Sequence, residues 1–139
     1  MELILRFLAF LFQGNKYKSP MKLFLNSYMA GNRLLAKQSE KDIREIFLST
    51  TKAILAGIGT MAFRPRRGVN AAAVDSIMTG VAKRIQNRGT IAKPQRMKAA
   101  FDKLMKDTEY REAIETGTSQ EANVETRISR ATSAFASVP

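Results

Sequence analysis

The chain has 139 residues, 45% of them hydrophobic, enough for one modest core, so a single domain over residues 1–139 is predicted. Its 23 Lys/Arg against 12 Asp/Glu give a net charge of +11, which favours polyanions, nucleic acid before an anionic membrane surface. Cysteine and histidine are both absent, and this removes disulfides, thiolate nucleophiles, imidazole bases and nearly all zinc or iron sites.

No cofactor is therefore expected, and zero cysteine fits a reducing cytoplasm. The charge is also uneven. Residues 1–90 hold 15 Lys/Arg and 5 Asp/Glu, whereas residues 91–139 hold 8 and 7. A polyanion-facing surface is expected within residues 1–90.

The first element is the run ELILRFLAFLFQ, in which nine of the ten residues from Leu3 to Phe12 are apolar. A membrane-spanning helix needs about 20 apolar residues. An export signal places its positive charge before the apolar run and a small-residue cleavage site after it. Here Glu2 leads, Arg6 interrupts, and Gln13-Gly14-Asn15-Lys16 follows. An interfacial helix would carry several basic residues on one face, and this one has only Arg6. The segment reads as a core helix. Because it is apolar on nearly all sides it needs cover on nearly all sides, and a neighbour from outside this chain is expected.

Ser19-Pro20 reads as a helix start, a hydroxyl cap followed by proline in the first turn. Met21, Phe24, Leu25, Tyr28 and Met29 then form one apolar stripe, and Gly31-Asn32 closes or weakens that helix. Ser39 with Asp42 resembles a capping box. Beyond it Ile43, Ile46, Phe47, Ile54, Leu55, Ile58 and Met61 predict a long helix reaching about Phe63. Asn70 caps a helix carrying Val74, Ile77, Met78, Val81 and Ile85, with its exit at Asn87 to Gly89. A helix over Pro94–Lys106 presents Met97, Ala100, Phe101 and Leu104. Asp107 caps a short one holding Tyr110, Ala113 and Ile114. Gly117 breaks it, and Thr118 or Ser119 opens a last helix through Val124 and Ile128. The tail ATSAFASVP, residues 131–139, is weakly patterned, and fraying is predicted over 132–139. No stretch alternates as a strand would. The fold class is all-α, an irregular bundle of about seven helices with no significant β-sheet.

Charge is densest at FRPRRG, where Arg64, Arg66 and Arg67 fall on a loop opening a helix. Guanidinium forks suit phosphate, and the helix start near Asn70 to Ala73 adds N–H groups and a positive dipole end. Lys83, Arg84 and Arg88 are candidates to extend this patch towards DNA or another polyanion. The competing reading is a solvated loop, or arginines bonded to helix carbonyls or to acidic groups of a neighbouring domain. Glu109, Glu112 and Glu115 share one face of a short helix, and an exposed acidic face explains them better than an acid–base pair. Thr116-Gly117-Thr118-Ser119 lacks the lysine and spacing of a P-loop. The methionines are core filler. No catalytic residue emerges, and the chain is not expected to be an enzyme.

The ordered phrases ELILRFLAF, Tyr17, MKLFLNSYM, AFRP, VNAAAVDSIM and the stretch from Tyr110 through GTS to Arg127 resemble the helical part of bacterial domain-of-unknown-function family 262. That family includes the GmrS portion of GmrSD type IV restriction proteins. The resemblance implies an N-terminal ParB/sulfiredoxin-like domain with a DGQQR signature, to which nucleotide-dependent activity is attributed. This sequence contains no DGQQR, nor the His and Cys of the family's HNH-type nuclease partner, so no catalytic residue transfers. The expectation is a non-catalytic helical module of a restriction or phage-defence system, a truncated or detached part of a larger protein. The alternative is an autonomous basic protein that binds nucleic acid. On either reading no membrane is involved.

Overall fold

The computed structural model describes residues 2–139 and is all-α, with seven helices and no strand among them. They are α1 (Glu2–Gln13), α2 (Met21–Gly31), α3 (Glu40–Gly57), α4 (Ala71–Arg88), α5 (Met97–Lys106), α6 (Thr108–Glu115) and α7 (Glu121–Ala136). Short 3₁₀ turns lie at Gly14–Lys16, Thr60–Phe63 and Pro94–Arg96. None of the helices is long and apolar enough to cross a membrane.

Three predicted caps form as their chemistry dictates. Ser39 Oγ accepts from the Asp42 N–H at 3.1 Å, Asn70 Oδ1 from Ala73 at 2.9 Å, and Asp107 Oδ1 from Tyr110 at 3.1 Å. Ser19 does not cap α2. Pro20 occupies the cap position without a side-chain bond, and the Ser19 N–H instead donates to Glu121 at 3.3 Å. The long helix expected to reach Phe63 stops at Gly57, because Gly59 takes a φ of +88° and turns the chain. The last helix starts at Glu121 rather than at Thr118 or Ser119.

The segment 132–139, for which fraying is predicted, is packed against the body of the fold. α7 runs to Ala136, Phe135 is fully buried and Val138 is buried. Arg84 accounts for the difference: its Nε donates to the Val138 carbonyl at 2.6 Å and its Nη1 to that of Gly89 at 2.8 Å.

The centre of the molecule is α4. Every residue from Ala72 to Ala82 is buried, although the sequence shows only one apolar stripe there. Small residues make this possible. At Gly80 a Cβ would lie 2.8 Å from the carbonyl carbon and oxygen of Ala131 in α7, so the two backbones nearly touch. α1 and α3 pack on other faces of α4, and α6 and α5 complete the wall around α7.

Much of the cover that α1 needs comes from this chain. Phe7 and Phe10 are buried against α4, Phe47 of α3 and an aromatic group from the following segment. In that group Phe10, Tyr17 and Phe24 have ring centroids 5.0 to 5.5 Å apart. Each buried phenylalanine contributes about 1.5–3 kcal/mol through removal from water. Of the apolar residues of α1, Ile4 is exposed at 41%, and Leu3, Leu5, Leu11 and Phe12 are half-buried.

Candidate functional site

The six basic candidates do not form one patch. Arg64, Arg66 and Arg67 are exposed on a loop whose ends are joined by Asn70 N–H donating to the Phe63 carbonyl at 3.0 Å. Arg66 is paired with Glu115 at 2.9 Å. Arg64 and Arg67 have no ion pair among the described residues. Lys83 is half-buried in a groove beside α7, where Glu121 and Glu125 also sit. Arg88 is exposed and donates to the Ala136 carbonyl at 3.2 Å.

Arg84 is not a surface residue. It is buried and its donors serve backbone carbonyls, so it is removed from the candidate phosphate contacts. Lys83 and Arg88 lie at the other end of α4 from the arginine loop, separated from it by about 20–27 Å at 1.5 Å per residue. No single phosphate spans the two. Beside the loop, the α4 N-terminus is already engaged: Asn70 takes the Ala73 N–H and donates from Nδ2 to the Ile114 carbonyl at 2.8 Å.

The acidic face of α6 is solvated and paired. Glu109 accepts from Arg130, and Glu115 lies 3.9 Å from Arg111 in addition to Arg66. Among the described residues no three His, Cys, Asp or Glu converge as metal ligands. The Thr116–Ser119 loop turns carbonyls inward, the wrong polarity for an anion: Thr118 O accepts from Arg127 at 2.6 Å and Ser119 O from Tyr17 at 2.6 Å.

The strongest electrostatic feature is a buried triad that sequence reasoning missed. Asp75, fully buried on α4, accepts from Arg127 Nε at 2.9 Å through Oδ1 and from Arg127 Nη2 at 3.0 Å through Oδ2. Its Oδ2 also accepts from Arg6 Nη2 at 2.7 Å and from Arg6 Nε at 3.2 Å. The Arg127 guanidinium lies 5.8 Å from the Phe10 ring centroid. One carboxylate thus joins α1, α4 and α7. The signal was present in part: a charge inside an apolar run, and an aspartate beside the apolar stripe of a helix, must find partners when buried.

Next to the triad, Ser76 Oγ and Tyr110 Oη are 2.9 Å apart in the core. Burial pushes the Tyr110 phenol well above its usual value, and burial also raises Tyr17 and Tyr28. A tyrosine raised in the folded state stays neutral there while the unfolded chain ionises near pH 10. Unfolding then releases a proton, so stability is intact below about pH 10 and falls above it, by up to about 1.4 kcal/mol per pH unit for one group. Urea midpoints measured from pH 9 to 11.5 should decline, and Tyr110→Phe should flatten the decline while lowering neutral-pH stability by only about 1 kcal/mol. The modest cost follows because Ser76 Oγ keeps its bond to the Ala72 carbonyl at 2.7 Å.

No protein-family model matches the chain, and no curated protein or solved structure is significantly similar to it.

Proposed function

We propose that this chain is a non-catalytic helical docking module that works beside a ParB/sulfiredoxin-like domain, as in the restriction proteins its sequence phrases resemble. The observation supporting this reading is large aliphatic surface left uncovered on α2, the segment after it and α3. Leu23 is 63% exposed, Leu34 88% and Leu55 53%. Leu48 is exposed too, and it lies seven residues before Leu55, two turns along one line of α3. The exposed apolar line of Leu48 and Leu55 on α3 is the part that supports a contact site. The cytoplasm is the proposed setting.

The second reading is nucleic-acid binding through the loop of Arg64 and Arg67, favoured by their exposure and freedom from ion pairs. One experiment separates the two. The chain is mixed with a DGQQR-bearing N-terminal domain of the resembled family, and separately with a 20-base-pair duplex, at several salt concentrations. Docking predicts a complex with the domain that Leu48→Lys/Leu55→Lys weakens at least tenfold, roughly the 1.4 kcal/mol of a single interface anchor. Nucleic-acid binding predicts affinity falling steeply with salt, and weakened by Arg64→Ala/Arg67→Ala. Absence of the domain complex sinks the first reading, and absence of duplex binding at low salt sinks the second.

A further inference from the structure

The buried triad carries two guanidiniums and one carboxylate, a surplus of one positive charge inside the fold. Arg127 is fully enclosed, and its donors are taken by buried Asp75 and by the carbonyl of half-buried Thr118. Arg6 is different. It is 9% exposed and lines a groove of about 620 Å³ between α1 and α2. Its Nε and Nη2 are committed to Asp75, whereas Nη1 donates no hydrogen bond and has only Glu2, at 3.6 Å, as an ionic neighbour among the described residues.

The α2 wall of this groove matches that charge. Lys22 and Asn26 are exposed one turn apart, and both line it. Lys22 has no ion pair among the described residues. Met29 continues the same line at 47% exposure, and buried Met21 and Leu25 form the apolar floor. The groove therefore joins a rigidly held guanidinium edge, an ammonium and an amide to an apolar channel.

We propose that the α1–α2 groove binds an acidic residue of a partner protein, with its carboxylate on Arg6 Nη1 and Lys22 and its apolar neighbours along Leu25 and Met29. Two features favour protein over nucleic acid. The floor is apolar, which suits side chains flanking a single charge. Glu2, exposed and 3.6 Å from Arg6 Nη1, already sets one carboxylate at this edge; a ligand carboxylate takes its place, whereas the larger charge of a polyphosphate is repelled by it more strongly. The clamp on Asp75 holds the Arg6 guanidinium in place before the ligand arrives, so little side-chain freedom is lost on binding. The inference rests on the docking reading only in taking the ligand to be protein, and it concerns a different face from Leu48 and Leu55.

The test is selection of displayed random 12-residue peptides on the full chain, followed by affinity measurement with one synthetic enriched peptide. Enriched sequences should carry an Asp or Glu flanked by Leu, Ile, Met or Phe, and changing that acid to its amide should weaken binding at least tenfold. Lys22→Glu should do the same without moving the melting temperature, since Lys22 is exposed and unpaired. Leu48→Lys/Leu55→Lys should leave this binding intact, even where it abolishes docking of the companion domain. The proposal is overturned by no enrichment, by enriched peptides with no acid requirement, by unchanged affinity in Lys22→Glu, or by displacement of the peptide by a single-stranded 20-nucleotide DNA.

Discussion

Asp75→Ala is expected to cost about 3–5 kcal/mol, the usual penalty for breaking a buried ion pair by removing one partner. The side chain itself is small; the loss comes from what remains. Arg127 would keep a buried charge whose remaining hydrogen bond is to the Thr118 carbonyl. Beside it the like charge of Arg6 would retain only Glu2 at 3.6 Å and a narrow edge open to solvent. Domains are typically stable by only about 5–15 kcal/mol, so a large part of the stability should disappear, and thermal or urea unfolding followed by circular dichroism will measure it. Replacing all three residues with apolar ones, Arg6→Leu/Asp75→Leu/Arg127→Met, should recover much of the loss, because the desolvation cost of the charges disappears with them. Recovery should stay incomplete, since the Thr118 carbonyl loses its Arg127 donor. A triple variant no better than Asp75→Ala would show that the triad's shape, rather than its charge balance, holds α1, α4 and α7 together.

Gly80→Ala should also be destabilising, although alanine favours helix over glycine by about 1 kcal/mol. The new Cβ would meet backbone, at 2.8 Å from both the carbonyl carbon and oxygen of Ala131 and 3.1 Å from the Thr132 nitrogen. Backbone atoms in mid-helix cannot rotate aside, so α7 must move bodily away from α4. Overpacking of this kind costs about 1–3 kcal/mol, and the propensity gain offsets only part of it. The urea midpoint should therefore fall with an unchanged denaturant slope. An increase in stability would mean that the two helices separate without loss. Gly57 is tighter still: a Cβ there would lie 2.2 Å from the Pro94 carbonyl oxygen, 3.0 Å from its carbon and 3.1 Å from Met97 Cβ. Gly57→Ala should therefore also lower the midpoint unless the 3₁₀ turn at Pro94–Arg96 shifts.

The candidate surface was legible in the sequence only as a list of charges. Arg64 and Arg67 are exposed as expected, since a loop bounded by Pro65 and Gly68 has no core to enter. Arg84 looked identical to Lys83 and Arg88 in sequence, one more basic residue near a helix end. Its burial depends on where Val138 arrives, 54 residues later. Arg6 was visible as an interruption in an apolar run, but its partner is 69 residues away, and nothing local indicates it.

By itself the sequence determined the all-α class, most helix boundaries and the caps at Ser39, Asn70 and Asp107, because capping and amphipathic periodicity act within one or two turns of chain. It did not show the centre. Hydropathy points to α1, the most apolar segment, yet α4 is the helix enclosed on all sides. Ala72, Ala73, Ser76 and Gly80 score low as hydrophobes while permitting the closest approach of neighbouring backbones. Only the tertiary structure decided which charges are internal, for a buried ion pair forms where helices distant in sequence converge. That convergence makes Asp75 the joint of three helices and leaves one edge of Arg6 open at the surface.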